Sequence, residues 1–375
     1  MIPQIQPWID GTELNYLKRV VDSTWVTEHA LTEEFENRIK TLTGAKHAIA
    51  VCNGTAALYC CLKSLGIGPG DEVIVPNLTF IATANAVIMA GAIPVLCDIG
   101  TDFSLDLEKA EKCLSRRTKA IMPVHLYGMA SEMDSILEFA DKHNLKIVED
   151  AAQGVAVHYK AKHVGTFGDL GILSFYGNKT MTCGEGGVIL TDSDDLAKKC
   201  YRLKNHGRSE KGVFVHEAIG FNFAFTEMQA AVGLAQLDKL PDIVERKQLM
   251  LNKYTSELRE LKGVMDPVKP ETDCVPVYWF TSFLASTPDF KVRLKNHLHL
   301  KFIQTRAFFT PLDLQPCYQT CRYEAQRKGT EVVTGRCSMD VSHDLFERGI
   351  SLPSSCTMSE EEHNSVIEAI LEFFE

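Results

Sequence analysis

Three clusters of residues in this chain have the types and spacing to do chemistry. The first is Cys52-Asn53-Gly54-Thr55-Ala56-Ala57, between an apolar run and a helical one. Gly54 lets backbone approach closely, Thr55 offers a hydroxyl, and the N–H groups opening the helix point outward, which suits a phosphate. The same residues would also serve as a plain helix N-cap, by Asn53 or Thr55. The second is Ile147-Val148-Glu149-Asp150-Ala151-Ala152-Gln153. Two carboxylates at the end of an apolar strand need partners, because an unpaired buried charge is costly. Adjacent strand residues face opposite ways. One carboxylate is therefore expected in a structural pair and the other toward a ligand, where it would hold a heteroaromatic nitrogen protonated; the alternative is an N-cap by Asp150. The third runs Ser174-Phe175-Tyr176-Gly177-Asn178-Lys179 and on to Gly187, with one lysine just past an apolar strand in a loop bracketed by glycines. Most lysines are simply solvated. One held in an apolar loop has a lowered pKa and offers a neutral amine as nucleophile.

The order of these clusters is more telling than any one of them. A phosphate turn, then a strand-end Asp, then a Ser-containing strand leading to a Lys are the parts that a pyridoxal phosphate enzyme needs. No Walker loop and no Gly-x-Gly-x-x-Gly after a strand is present, which counts against nucleoside-triphosphate hydrolysis and dinucleotide dehydrogenation. The nearest approach to a metal pattern, Cys317, Cys321, Cys337, His343 and Cys356, contains no Cys-x-x-Cys knuckle, so no metal is expected.

The elements that must position these residues are legible from about Lys46 onward. Strands over His47–Cys52, Asp71–Val75, Ile93–Cys97, Ala120–His125 and Lys146–Glu149 alternate with helices over Ala56–Leu65, Ile81–Met89, Leu107–Leu114 and Met133–His143. This predicts βαβ units in an α/β fold: a three-layer, mostly parallel sheet flanked by helices. The strands are apolar on both faces, as expected when helices cover each side. After Glu149 the rhythm changes, and Gly171–Tyr176 and Gly187–Thr191, joined without a helix, predict an antiparallel step. Helices follow over Leu196–Asn205 and Thr226–Leu237, and Pro241 is read as opening a further long helix, Ile243–Leu261. We divide the chain into a large cofactor-binding domain, 1–240, and a smaller α+β domain, 241–375, with a strand over Tyr278–Ala285 and helices over Phe290–Leu298 and Ser359–Phe373.

Bulk properties narrow the partners. The 375 residues are 45% hydrophobic and 23% charged, and 39 basic against 49 acidic residues give a net charge of −10. An acidic chain without basic runs is not expected to bind nucleic acid or an anionic membrane surface, and no stretch approaches the roughly 18 apolar residues that span a bilayer. The N-terminus lacks a signal-peptide pattern, and twelve scattered cysteines fit reduced thiols in a cytoplasmic setting.

At these residues the sequence resembles the DegT-type nucleotide-sugar aminotransferases, a branch of the fold-type-I pyridoxal phosphate enzymes. The likeness covers nearly the whole chain. It rests on Asn53-Gly54-Thr55-Ala56-Ala57-Leu58, Pro76–Ala86, Pro123-Val124-His125-Leu126-Tyr127-Gly128, Glu149–Gln153, Ser174–Gly187 and Ala230–Leu237, in that order. Within the family the likeness is greatest to the GDP-perosamine synthase branch, whose lysine loop also tends to read as Ser174–Lys179 do.

The resemblance implies roles residue by residue. Lys179 would form the Schiff base with pyridoxal 5′-phosphate and shuttle the proton; Asp150 would keep the pyridine nitrogen protonated. Phe80 would stack on the ring and Gln153 would bond its phenolic oxygen. Gly54, Thr55 and Ser174 would hold the phosphate, joined by Asn222 from the partner subunit, which makes a homodimer part of the site. A lysine at position 179 also counts against the related sugar dehydratases, which carry His there. The implied reaction moves the amine of L-glutamate to C4 of a GDP-linked 4-keto-6-deoxy sugar. The alternatives are the same chemistry on a UDP- or dTDP-linked ketosugar, or a non-catalytic cofactor-binding regulator. A general amino-acid aminotransferase would want an arginine clamp, for which Arg306 is the candidate. Ala224, Val155 and Asp313 depart from the family pattern, where Arg, His and His are common.

Overall fold

The computed structural model of the chain describes residues 1–209, 212–270, 273–318 and 332–374. Its central sheet contains β1 (His47–Val51), β2 (Glu72–Pro76), β3 (Ile93–Cys97), β4 (Thr118–Ile121) and β5 (Lys146–Asp150). Past a short hairpin of β6 (His158–Tyr159) and β7 (Lys162–His163), β8 (Leu170–Ser174) and β9 (Gly187–Thr191) complete it. The spatial order is β1-β9-β8-β5-β4-β2-β3. The run from β8 through β5, β4 and β2 to β3 is parallel, and β9 is antiparallel to both β8 and β1. The mostly parallel α/β sheet and the antiparallel step after Glu149 are therefore both present. Reading β1 as the first strand of a βαβ unit needs correction: it stands at the end of the strand order, beside β9 and antiparallel to it. A strand's own residue pattern does not encode its neighbour.

Successive residues of each strand go to opposite faces. On one face Ala50, Ile74, Ile121, Ile147, Leu173 and Val188 pack with Phe35, Phe225 and Leu234. On the other Val51, Val75, Val148, Ile172 and Ile189 pack with Leu58, Leu62 and Val87. With both faces covered, the strands read as unbroken apolar runs.

A single helix, Glu227–Glu257, is opened by a reciprocal Thr226–Gln229 capping box and runs on past Pro241. The expected break at that proline does not occur. A proline inside a helix forfeits one hydrogen bond and costs about 3 kcal/mol, but buried Leu237, Leu240 and Ile243 hold the turns on both sides of it. Beyond this helix come β10 (Met265–Pro267), β11 (Cys274–Val275), β12 (Ser282–Ala285), β13 (Arg306–Ala307) and β14 (Gly349–Ser351). β10, β12, β14 and β13 form an antiparallel sheet with its own core of Tyr254, Phe283, Leu294, Leu298 and Val366. The buried amine of Lys247, on the long helix, donates to Trp279 O at 2.9 Å and Ser354 O at 2.6 Å, tying that helix to the C-terminal part. Among the described residues, no helix is long and apolar enough to cross a membrane.

Glu149 holds the loops beneath the sheet. Its fully buried carboxylate accepts from Gly165 N at 2.7 Å, Phe167 N at 2.6 Å and Gly168 N at 2.7 Å, and pairs with His125 Nε2 at 3.0 Å. Since His125 Nδ1 accepts from Ser131 N, the ring proton lies on Nε2 and is donated to Glu149. Burial would raise the Glu149 carboxyl, but His125 and the backbone donors outweigh it and hold it below its ordinary value. Glu149→Gln should cost about 3 kcal/mol, because it breaks a buried, charge-assisted network. Denaturant unfolding checks this. The deficit should narrow as pH falls below the ordinary carboxylate range, where the wild-type charge is progressively lost.

Candidate active site

A cleft of about 550 Å³ opens beyond the carboxyl ends of β1, β5 and β8, where ligands bind in open α/β sheets. A second hollow, of about 570 Å³, lies beside Lys146 and Asp169 and contains none of the predicted residues. The first cleft brings together Gly54, Thr55, Phe80, Asp150, Gln153, Ser174 and Lys179, which are dispersed over 126 positions of the chain, 179 less 54 counted inclusively. Asn222 does not join them. It is exposed, with its backbone bridging to Asn205.

Each wall is fixed locally. Asn53 caps the helix Gly54–Ser64 by accepting from Ala56 N at 2.9 Å, so the cap and the phosphate-shaped turn coexist. Ser174 lies so close that a Cβ on Gly54 would sit 3.1 Å from its Cβ, and a Cβ on Gly187 would meet the Asn53 carbonyl at 2.6 Å. Glycines at both places let the turn lie against β8 and β9. Asp150, on the opposite face of β5 from Glu149, accepts from Thr83 Oγ1 at 2.7 Å and Ala152 N at 3.2 Å. Gln153 Oε1 accepts from Tyr127 N at 2.7 Å, which fixes the amide so that its NH2 group remains to donate into the cleft. Phe80 is half exposed, its ring 5.7 Å from that of Phe309.

The Lys179 amine lies 4.0 Å from the centre of the Trp279 ring, and Trp279 Nε1 donates to Asn178 O at 2.6 Å. Burial lowers the Lys179 pKa to about 8, against an opposing pull from the Asp150 charge. Trp279, Arg306 and Phe309 close the cleft from the C-terminal part. Sequence reasoning missed Thr83, Trp279 and Phe309. Thr83 follows Phe80 by three residues, one helical turn, and that spacing was the available signal; Trp279 and Phe309 carried none.

The three departures lie elsewhere. Val155 is buried in the core below the sheet, Ala224 bridges to Val51, and neither lines the cleft. Asp313 accepts from Asn77 Nδ2 at 2.8 Å and pairs with His343 at 3.0 Å, so its carboxylate joins the C-terminal part to the end of β2. None of the three lines this chain's own cleft.

The profile of the DegT/DnrJ/EryC1/StrS aminotransferase family matches residues 7–371. The chain belongs to that family. It is 37% identical over 375 residues to a GDP-perosamine synthase of Escherichia coli O157:H7, covering 100% of this chain and 98% of the relative. It is 34% identical over 379 residues to the Vibrio cholerae protein of the same name, covering 100% and 99%. Among solved structures, S. venezuelae DesV in complex with a ketimine intermediate is 33% identical over 97% of this chain and 94% of its own, with a TM-score of 0.87. The DegT-family cofactor is pyridoxal phosphate. The cleft fits it: a glycine-lined turn with a hydroxyl for the phosphate, a carboxylate held by Thr83, and an amide with its NH2 group free to meet an oxygen.

With the pKa lowered to about 8, the neutral Lys179 amine accumulates as pH rises through that value. The rate at which cofactor-free protein takes up pyridoxal phosphate, followed by absorbance, should climb through about pH 8 and then level off. A rate still climbing near about pH 10 would place the amine in the ordinary lysine range.

Proposed function

We propose that this aminotransferase moves the amine of L-glutamate to C4 of a GDP-linked 4-keto-6-deoxy sugar, forming GDP-perosamine. The observation that carries this reading is full-length likeness to two proteins named GDP-perosamine synthase, together with a cleft that contains Lys179, Asp150 and Gln153. Residues up to about 240 hold the cofactor, and 241–375 close over it.

The bound cofactor supplies an electron sink, which accepts the negative charge that develops when a carbon–hydrogen bond beside the nitrogen breaks. Asp150, oriented by Thr83, holds the ring nitrogen protonated. Gln153 donates to the phenolic oxygen, Gly54, Thr55 and Ser174 take the phosphate, and Phe80 lies against the ring. Lys179 carries the proton in both half-reactions, taking it from one carbon and returning it at another, and a pKa near neutrality suits an acid–base group that must work in both directions. Arg306, on the cleft wall, is placed to meet a carboxylate or phosphate of a substrate.

The protein acts in this reading as a cytoplasmic homodimer. Phe214, Val215 and Ile219 are 80%, 66% and 85% exposed on the segment leading to Asn222, an apolar surface that a second copy would cover. Covering it would bring the partner's Asn222 to the phosphate.

Incubation with glutamate and a GDP-linked 4-keto-6-deoxyhexose should convert ketone to amine, read by product mass, and Lys179→Ala should abolish it. Amine formed on the UDP- or dTDP-linked sugar alone would overturn the nucleotide assignment, and turnover by Lys179→Ala would overturn the mechanism. Sedimentation should give a dimer; a monomer with full activity would overturn the shared site.

A further inference from the structure

Three cysteines that the sequence leaves far apart meet at the far edge of the central sheet, away from the cleft. Cys97 ends β3, Cys113 ends the helix Leu107–Cys113, and Cys337 lies on the segment that follows residue 332. Among the described residues they are the one group of three or more metal-ligating side chains whose donor atoms all lie within 4.8 Å of one another. Cys113 Sγ is 3.7 Å from Cys337 Sγ. Two sulfurs bound tetrahedrally at the usual zinc–sulfur length of about 2.3 Å stand about 3.8 Å apart. The observed pair is already at that separation.

The backbone that holds them is well supported. Residue 333 pairs with β3 through Val333 N to Pro94 O at 3.0 Å and Leu96 N to Val333 O at 2.9 Å. Arg336 grips Glu72 with two nitrogens at 2.7 Å each and donates to Cys113 O at 2.5 Å. Cys97 Sγ lies 3.6 Å from Asp106 O and Cys113 Sγ 3.8 Å from Leu96 O. Cys97 and Cys113 are buried, whereas Cys337 is half-buried and leaves an approach from solvent.

We propose that Cys97, Cys113 and Cys337 bind one thiophilic divalent cation of the zinc class, with a water molecule on the solvent side as fourth ligand. Three thiolate donors favour such a cation over calcium or magnesium, which take oxygen ligands. Binding exchanges protons for metal: one dication and three thiols give a trithiolate complex and three released protons, with no change in oxidation state. The cation would join residues 113 and 337, which are 224 positions apart, and so fasten the segment after residue 332 to the large sheet. Since none of the three lines the cleft, its role is structural, and the proposal does not depend on which sugar the enzyme uses.

The test uses tag-free holoenzyme, reduced with a phosphine and dialysed against chelator. Titration with Co2+ should give visible ligand-field bands, to the red of the cofactor's absorption, saturating at one equivalent per chain and abolished by Zn2+. Cys337→Ser should weaken binding by at least about tenfold, the cost of losing even an outer-shell partner, while transamination persists. Cys317→Ser, at an exposed cysteine, should change nothing. Alkylation mapping of the wild type gives a second readout that needs no variant: Zn2+ should protect Cys97, Cys113 and Cys337 together. Absence of bands, bands unchanged in folded Cys337→Ser, or no selective protection would overturn the site. So would a Cys113–Cys337 disulfide whose reduced form takes up no metal.

Discussion

The pleat at the end of β5 is the constraint on which the rest of the molecule depends. Two adjacent carboxylates, Glu149 and Asp150, must face opposite sides of one strand. Glu149 turns into the core and collects three backbone N–H groups and His125. That network fixes the loops between β5 and β8, and β8 in turn carries Ser174 and leads to Lys179. Asp150 turns into the cleft, where Thr83 orients it. One carboxylate thus organises the scaffold that presents the other.

Chemistry in the cleft follows from what surrounds that strand end. Lys179 is enclosed enough for burial to hold its amine near neutrality, and Asp150 keeps the shift from going further. Part of the enclosure comes from a different region of the chain. Trp279 lies over the amine, and its carbonyl is held by Lys247 on the long helix. The same helix begins with Gln229 donating to Glu185 O on the cleft wall and reaches the core of the C-terminal sheet at Tyr254. Pro241 does not interrupt that helix, and apolar residues pack on either side of it.

Much of the cleft was legible because its residues stand at strand ends. Gly54, Asp150, Ser174 and Lys179 each follow an apolar run, and an open parallel sheet gathers such positions to one side. Asn222 followed no such rule, and it lies outside this chain's own cleft. Phe309 and Trp279 were missed because nothing in their neighbours announces a cleft. Asp313 stands in the sequence only as a departure from the family pattern, and its carboxylate meets Asn77 and His343.

By itself the sequence determined the α/β class, the antiparallel step after Glu149, and seven of the residues that line the cleft, Gly54, Thr55, Phe80, Asp150, Gln153, Ser174 and Lys179. These are properties of short segments, where side-chain period, turn residues and local charge act over a few positions. Only the tertiary structure decided that β1 stands at the end of the strand order, that the helix passes through Pro241, that Trp279 covers Lys179, and that Cys97, Cys113 and Cys337 converge. Those outcomes depend on which surfaces meet across distances of tens to hundreds of residues, and no local pattern specifies a partner that far away.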